Sequence, residues 1–145
     1  MEKLSHNLHM KLQEMCDCYM DTDFQAEIKR PIDVNSATLE EEALKYFALI
    51  ILYTLTVKAQ KLSVKKKKGA WKVTVTSSHE KKSLSSPPEE IGTKIFEIIR
   101  AITHIDQDNG EMALAFGLRN GRVDLLVKVK KADDEESMKL LFPEL

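Results

Sequence analysis

Cysteine is scarce in this sequence: 145 residues hold only Cys16 and Cys18, too few and too close together for a disulfide framework, which points to a reducing compartment. No apolar stretch approaches the ~20 residues a membrane span needs. The longest, Tyr46 to Val57, is uncharged for 12 residues and is expected to be a buried helix. The start, Met1-Glu2-Lys3-Leu4-Ser5-His6, lacks an apolar signal core, so a cytoplasmic location without membrane insertion is expected. No glycine is followed by lysine, which excludes a phosphate-cradling G-x-x-x-x-G-K-[ST] loop and with it the machinery of ATP hydrolysis. What is present is ordinary for a globular chain: 43% hydrophobic and 31% charged residues in a length that fits one domain. A domain of this size buries roughly 68–70% of its unfolded surface without disulfides or metal.

Charge is balanced overall, at −1, but not along the chain. Residues 1–57 carry 5 Lys+Arg against 10 Asp+Glu, and residues 58–82 carry 9 against 1. The basic stretch, Lys58 to Lys82, includes Lys65, Lys66, Lys67, Lys68 and Lys72, which are the candidate interaction surface for an anionic partner. The structural alternative is a solvated hairpin whose lysines guard a sheet edge. Nucleic-acid binding would call for exposed aromatics, and the single aromatic in the stretch, Trp71, sits at an inward-looking alternate position.

Leu4, Leu8, Leu12, Met15 and Tyr19 recur on one helical face and predict a first amphipathic helix over residues 2–20. Residues 21–36 read as a connection. Thr38 followed by Glu41 forms a capping box for a second helix over about residues 38–59, apolar nearly all round, although its β-branched residues would also suit a strand. The period then changes to two. Leu62 and Val64, then Trp71, Val73 and Val75, alternate with Ser63, Lys65, Lys72, Thr74 and Thr76 across a hairpin turning at Gly69, and a short strand can follow at Ser83-Leu84-Ser85. Ser86, Pro87, Pro88, Glu89 and Glu90 begin a third helix buried through Ile91, Ile95, Ile98, Ile99 and Ile102. A loop over residues 104–111, a strand from Met112 to Leu118, an Asn120-Gly121 turn and a strand from Arg122 to about Lys130 complete a second hairpin. Asp133 with Glu136 predicts a capped last helix through Met138, Leu141 and Phe142, stopped by Pro143.

The order ααββ(β)αββα predicts an α+β domain: an antiparallel sheet of four or five strands with helices mainly on one face, in a PAS-like arrangement. Residues 1–36 are expected to be an N-terminal helix and connection, residues 37–131 a single α+β domain, and residues 132–145 a short C-terminal helix and tail. The first helix, whose stripe must be buried somewhere, is expected to pack on its own domain, since two heptads make a marginal independent coiled coil.

From about Glu41 to Lys131 the ordered features resemble the N-terminal, non-catalytic domain of the type II secretion and type IV pilus assembly ATPases. The matching stretches are Lys58-Ala59-Gln60-Lys61-Leu62-Ser63-Val64, Gly69 to Thr76, Leu84-Ser85-Ser86-Pro87-Pro88-Glu89-Glu90, Asp106-Gln107-Asp108-Asn109-Gly110-Glu111, and Asn120-Gly121-Arg122-Val123-Asp124-Leu125-Leu126-Val127. The sequence departs from that family where its strand arginines fall on Lys72, Thr74 and Thr76 and its loop arginine on Glu111. The resemblance therefore implies a domain of this kind without its RecA-like motor and without nucleotide contacts.

His6 and His9 lie one helical turn apart, but Cys16 is ~10 Å further along the axis, so the three cannot converge on one ion. Asp106, Asp108 and Glu111 have acidic loop spacing without the closing bidentate glutamate of a calcium loop. Cys16 with His104 has no nucleophile motif around it. No catalytic residue, cofactor or metal is expected, and the function expected is that of a non-catalytic protein-interaction or regulatory domain. Its partner would be another protein, with a secretion or pilus motor component in view and a homodimer open. The alternative is a nucleic-acid or anionic-ligand module working through the Lys58–Lys82 hairpin.

Overall fold

The computed structural model describes residues 2–32, 38–118 and 121–143. Three helices come first: α1 (Glu2–Tyr19), α2 (Phe24–Lys29) and α3 (Leu39–Thr56). Strands β1 (Lys61–Lys67), β2 (Ala70–Thr76) and β3 (Lys81–Leu84) follow as a meander, then α4 (Glu89–Thr103), then a second meander of β4 (Gly110–Leu118), β5 (Gly121–Ala132) and β6 (Glu135–Leu141). All neighbours are antiparallel in one six-stranded sheet of order β3-β2-β1-β6-β5-β4, so the first strand of one meander pairs with the last of the other.

The α+β class and the one-sided helix layer are as the sequence implied, but the strand number is six rather than four or five. The difference lies chiefly at the C-terminus, where the expected last helix is instead β6, hydrogen-bonded to both β1 and β5. Two periods coexist there: Met138, Leu141 and Phe142 fit a helix, whereas Met138, Leu140 and Phe142 fit a strand. The strand prevails because it joins the two meanders and sends Met138 and Leu140, both fully buried, into the core. The stretch expected to carry that helix is thus β6, in the middle of the sheet. Within the expected connection, Phe24–Lys29 forms α2, whose N-cap Asp23 accepts a hydrogen bond from the Ala26 N–H at 3.2 Å.

α3 is buried from Ala43 to Thr54 on nearly every side, as its all-round apolar sequence demands, and Glu40, Glu41 and Glu42 in its first turn complement the positive end of the helix dipole. α4 starts at Glu89 after Pro88, not at Ser86, because a residue before proline is held extended. Trp71 is 2% exposed and packs on this helix, over Gly92 and beside Phe96 at a ring separation of 6.0 Å. A Cβ on Gly92 would stand 2.4 Å from the indole, so glycine is what lets the ring approach. The β1–β2 turn is made by Lys68 and Gly69, both at positive φ, 54° and 80°, the geometry a two-residue hairpin needs.

The α1 stripe packs within the chain: Leu8, Leu12 and Cys16 are buried, with Met15 and Tyr19 against the same core. α1 also guards an edge. His9 Nε2 donates to the Ala115 carbonyl at 2.9 Å, and Gln13 Oε1 accepts from the Gly117 N–H at 2.6 Å, so two backbone groups of outer strand β4 are paired by side chains. The Leu4 and His6 side chains, Asn120 of the expected turn and residues 33–37 before α3 lie outside the described residues.

Candidate functional site

The same alternation that buries one side of each strand builds the other side. Leu62, Val64, Trp71, Val73, Leu125, Val127, Val129, Met138 and Leu140 face the helices. Ser63, Lys65, Lys72, Thr74, Leu126, Lys128, Lys130, Ser137, Lys139 and Leu141 face away, on a surface that no described element of the chain covers.

Register aligns these residues in rows across the strands. One row runs Ser83–Thr74–Ser63–Lys139–Lys128–Glu111, and the next runs Lys72–Lys65–Ser137–Lys130. Lys65 therefore stands directly opposite Lys72, and Lys128 opposite Lys139. Directly opposed like charges oppose sheet pairing by up to ~1 kcal/mol, so these lysines are not there to hold the sheet together. Two carboxylates interrupt the field: Glu135 pairs with Lys65 at 2.6 Å and Glu111 with Lys128 at 3.8 Å. The hydrogen-bonded Lys65 ammonium holds the Glu135 carboxyl below the usual carboxylate range, helped by the charges of Lys67 and Lys130. Lys72, Lys130 and Lys139 make no ion pair within 4.0 Å among the described residues. Lys128, Lys130, Lys139, Ser137 and Asn109 line an open concavity of about 400 Å³ that also meets Glu111.

Of the surface read from the sequence, Lys65, Lys67 and Lys72 share this face, while Lys66 does not. Alternation turns Lys66 to the helix side, where it pairs with Glu89 at 3.2 Å and lies 5.8 Å from the Trp71 ring centre. Lys82 likewise lies over the Tyr53 ring at 5.4 Å. Lys68 is in the turn. The consecutive lysines are therefore divided, and at their tip they meet an acidic counterpart: Lys66, Lys67 and Lys68 share a cleft with Asp133 and Asp134 of the β5–β6 turn and with Glu135 and Glu136 at the start of β6. The charge run along the chain draws no attention to Lys128, Lys130 and Lys139. The alternation Leu126-Val127-Lys128-Val129-Lys130 was a usable signal, but Lys139 could join only once residues 135–141 were a strand.

The other candidates are used structurally. Burial, and then the Asp17 charge, pushes the Cys16 thiol up to about 12, which leaves it almost without the thiolate that nucleophilic or metal chemistry requires. His9 serves the β4 edge and stacks edge-on against Phe116. The loop of Asp106 and Asp108 is organised by Arg100, whose guanidinium donates to the carbonyls of Ile105, Gln107 and Asp108 at 3.1, 2.6 and 3.2 Å. A cation is thus already supplied to that loop by α4, an interaction sequence spacing did not reveal. Among the described residues no three His, Cys, Asp or Glu side chains gather as a metal site, and no helix is long and apolar enough to cross a membrane.

No protein-family model matches this chain, and no curated protein matches it.

Proposed function

We propose that this chain is a non-catalytic protein-interaction or regulatory domain that works through the uncovered face of its sheet. The observation that carries the reading is the pair of lysine oppositions, Lys65 with Lys72 and Lys128 with Lys139, on a face left open by the rest of the described chain. An arrangement unfavourable to the isolated sheet is relieved when an anionic surface lies over it. The PAS-like likeness drawn from the element order enters only as part of this proposal. The β1–β6 pairing at the sheet's centre and the single helix layer support it, whereas the added sixth strand departs from it. The resemblance to the N-terminal domain of secretion and pilus ATPases makes a motor component the first partner to try, and a cytoplasmic setting is part of the same proposal.

The alternative, a nucleic-acid or anionic-ligand module confined to the Lys58–Lys82 hairpin, has less support, because Lys66 and Lys82 pack over aromatic rings on the opposite side. Site-specific photo-cross-linking in cells tests the main reading, with the reactive group at Ser137 in the centre of the face or at exposed Thr93 on α4. A protein adduct formed from Ser137 and not from Thr93 is expected. Equal adducts from both positions, or none from Ser137, would overturn the assignment of this face.

A further inference from the structure

The face is more than basic. Beside the lysine rows runs a third row, Lys61–Leu141–Leu126–Ala113, in which two half-buried leucines are direct cross-strand neighbours. Leu126 and Leu141 point to the open side while Leu125 and Leu140 fill the core, so they form an apolar stripe next to Lys128 and Lys139. None of the nine aromatic residues, 5 Phe, 3 Tyr and Trp71, lies on this face. Bases would find no stacking platform there. Among the described residues the face holds one arginine: Arg122, at one end, whose Nε donates to Asp124 at 2.9 Å. Beyond it, the described part of the face offers phosphate no planar fork. Glu111 and Glu135 within the lysine field would repel a uniform polyanion such as a phosphate backbone, whereas a polypeptide can place a neutral residue opposite each of them.

From these features, and resting on the docking face proposed above, we infer that the partner presents an acidic amphipathic polypeptide segment. Its apolar side chains would sit on Leu126 and Leu141, and its carboxylates would reach Lys128, Lys130 and Lys139. The lysines and the concavity supply long-range attraction and orientation, and the leucines supply apolar contact that salt does not screen. Binding should consequently weaken with rising salt but not vanish, unlike phosphate binding, which falls steeply with salt.

Fluorescence anisotropy with three probes of equal length and similar charge tests this: a labelled Glu/Leu peptide with helical apolar spacing, poly-glutamate, and oligo-dT. The Glu/Leu peptide is expected to bind best. Lys128→Ser with Lys139→Ser should weaken it by roughly 2- to 30-fold, the range for two exposed ion pairs, and Leu126→Ser should weaken it while leaving poly-glutamate unaffected. Thermal melting of each variant confirms that it is folded, and the two serines are at exposed positions that do not depend on Leu126. Oligo-dT binding as tightly as the peptide, with the same dependence on Lys128 and Lys139, would overturn the acidic-polypeptide partner but leave the face standing. Failure of all three probes, or binding indifferent to every face substitution, would overturn both.

Discussion

Along β1, Leu62 and Val64 are fully buried under the helices while Ser63, Lys65 and Lys67 line the uncovered side, and β5 and β6 divide in the same way. The two faces share every backbone hydrogen bond of the sheet, yet one is built from mutually attractive neighbours and the other sets lysine against lysine. Pleating makes them independent: side chains one position apart never compete for the same space. The helix-facing side therefore carries the stability, and the open side is free to meet a requirement that stability does not impose.

The largest test of that division is Trp71. Trp71→Ala should destabilise by ~3–5 kcal/mol in denaturant unfolding, as a large core deletion. Trp71→Phe should cost much less, because its buried Nε1 has no hydrogen-bond partner among the described residues and the lost N–H is no loss of pairing. Gly92→Ala attacks the same contact from the helix. It should cost ~1–3 kcal/mol by overpacking the indole, although alanine is otherwise the better helix residue by up to ~1 kcal/mol. A stabilised Gly92→Ala protein would place the indole elsewhere.

Next in size is the boundary between the two faces, the β4 edge. Removing Gln13 or His9 by alanine should cost ~0.5–1.5 kcal/mol each, and the double variant should aggregate more readily as the Ala115 and Gly117 backbone groups become available to another strand. Unchanged stability and solubility would mean that α1 covers helices alone.

The trial of the open face by pH should show the smallest effect. Glu135 is partly exposed, and its carboxyl is lowered by Lys65, so the stabilising contact is complete above the ordinary carboxylate range and is lost as pH falls through the lowered value. Lys65→Ser should raise the Glu135 titration midpoint in an NMR pH series. A midpoint that does not move would deny the ion pair.

Much of the helix-facing side was legible because burial repeats a simple pattern. Trp71, Val73 and Val75 could be assigned inward, and the all-apolar stretch of α3 central, from spacing alone. The open face was only half legible. Counting charge along the chain drew attention to Lys65 through Lys68, whereas the surface is assembled across strands, and alternation removes Lys66 from it while register adds Lys128 and Lys130. Lys139 was hidden by the ambiguity of Ser137-Met138-Lys139-Leu140-Leu141-Phe142, which satisfies both periods until β1 and β5 are seen to lack a common neighbour. Arg100 and its three carbonyls were invisible for a different reason: main-chain acceptors leave no mark on residue identity.

The central claim, that the open-face lysines serve binding and not the fold, is tested most directly by denaturant unfolding of a variant with Lys72→Ser and Lys139→Ser. Each substitution removes one member of an opposed pair, and neither lysine makes an ion pair among the described residues. The account predicts stability equal to that of the parent chain or higher by a few tenths of a kcal/mol up to ~1 per relieved pair. A loss of more than about 1 kcal/mol, with the cooperativity of unfolding unchanged, would show that these lysines hold the sheet and would contradict the account.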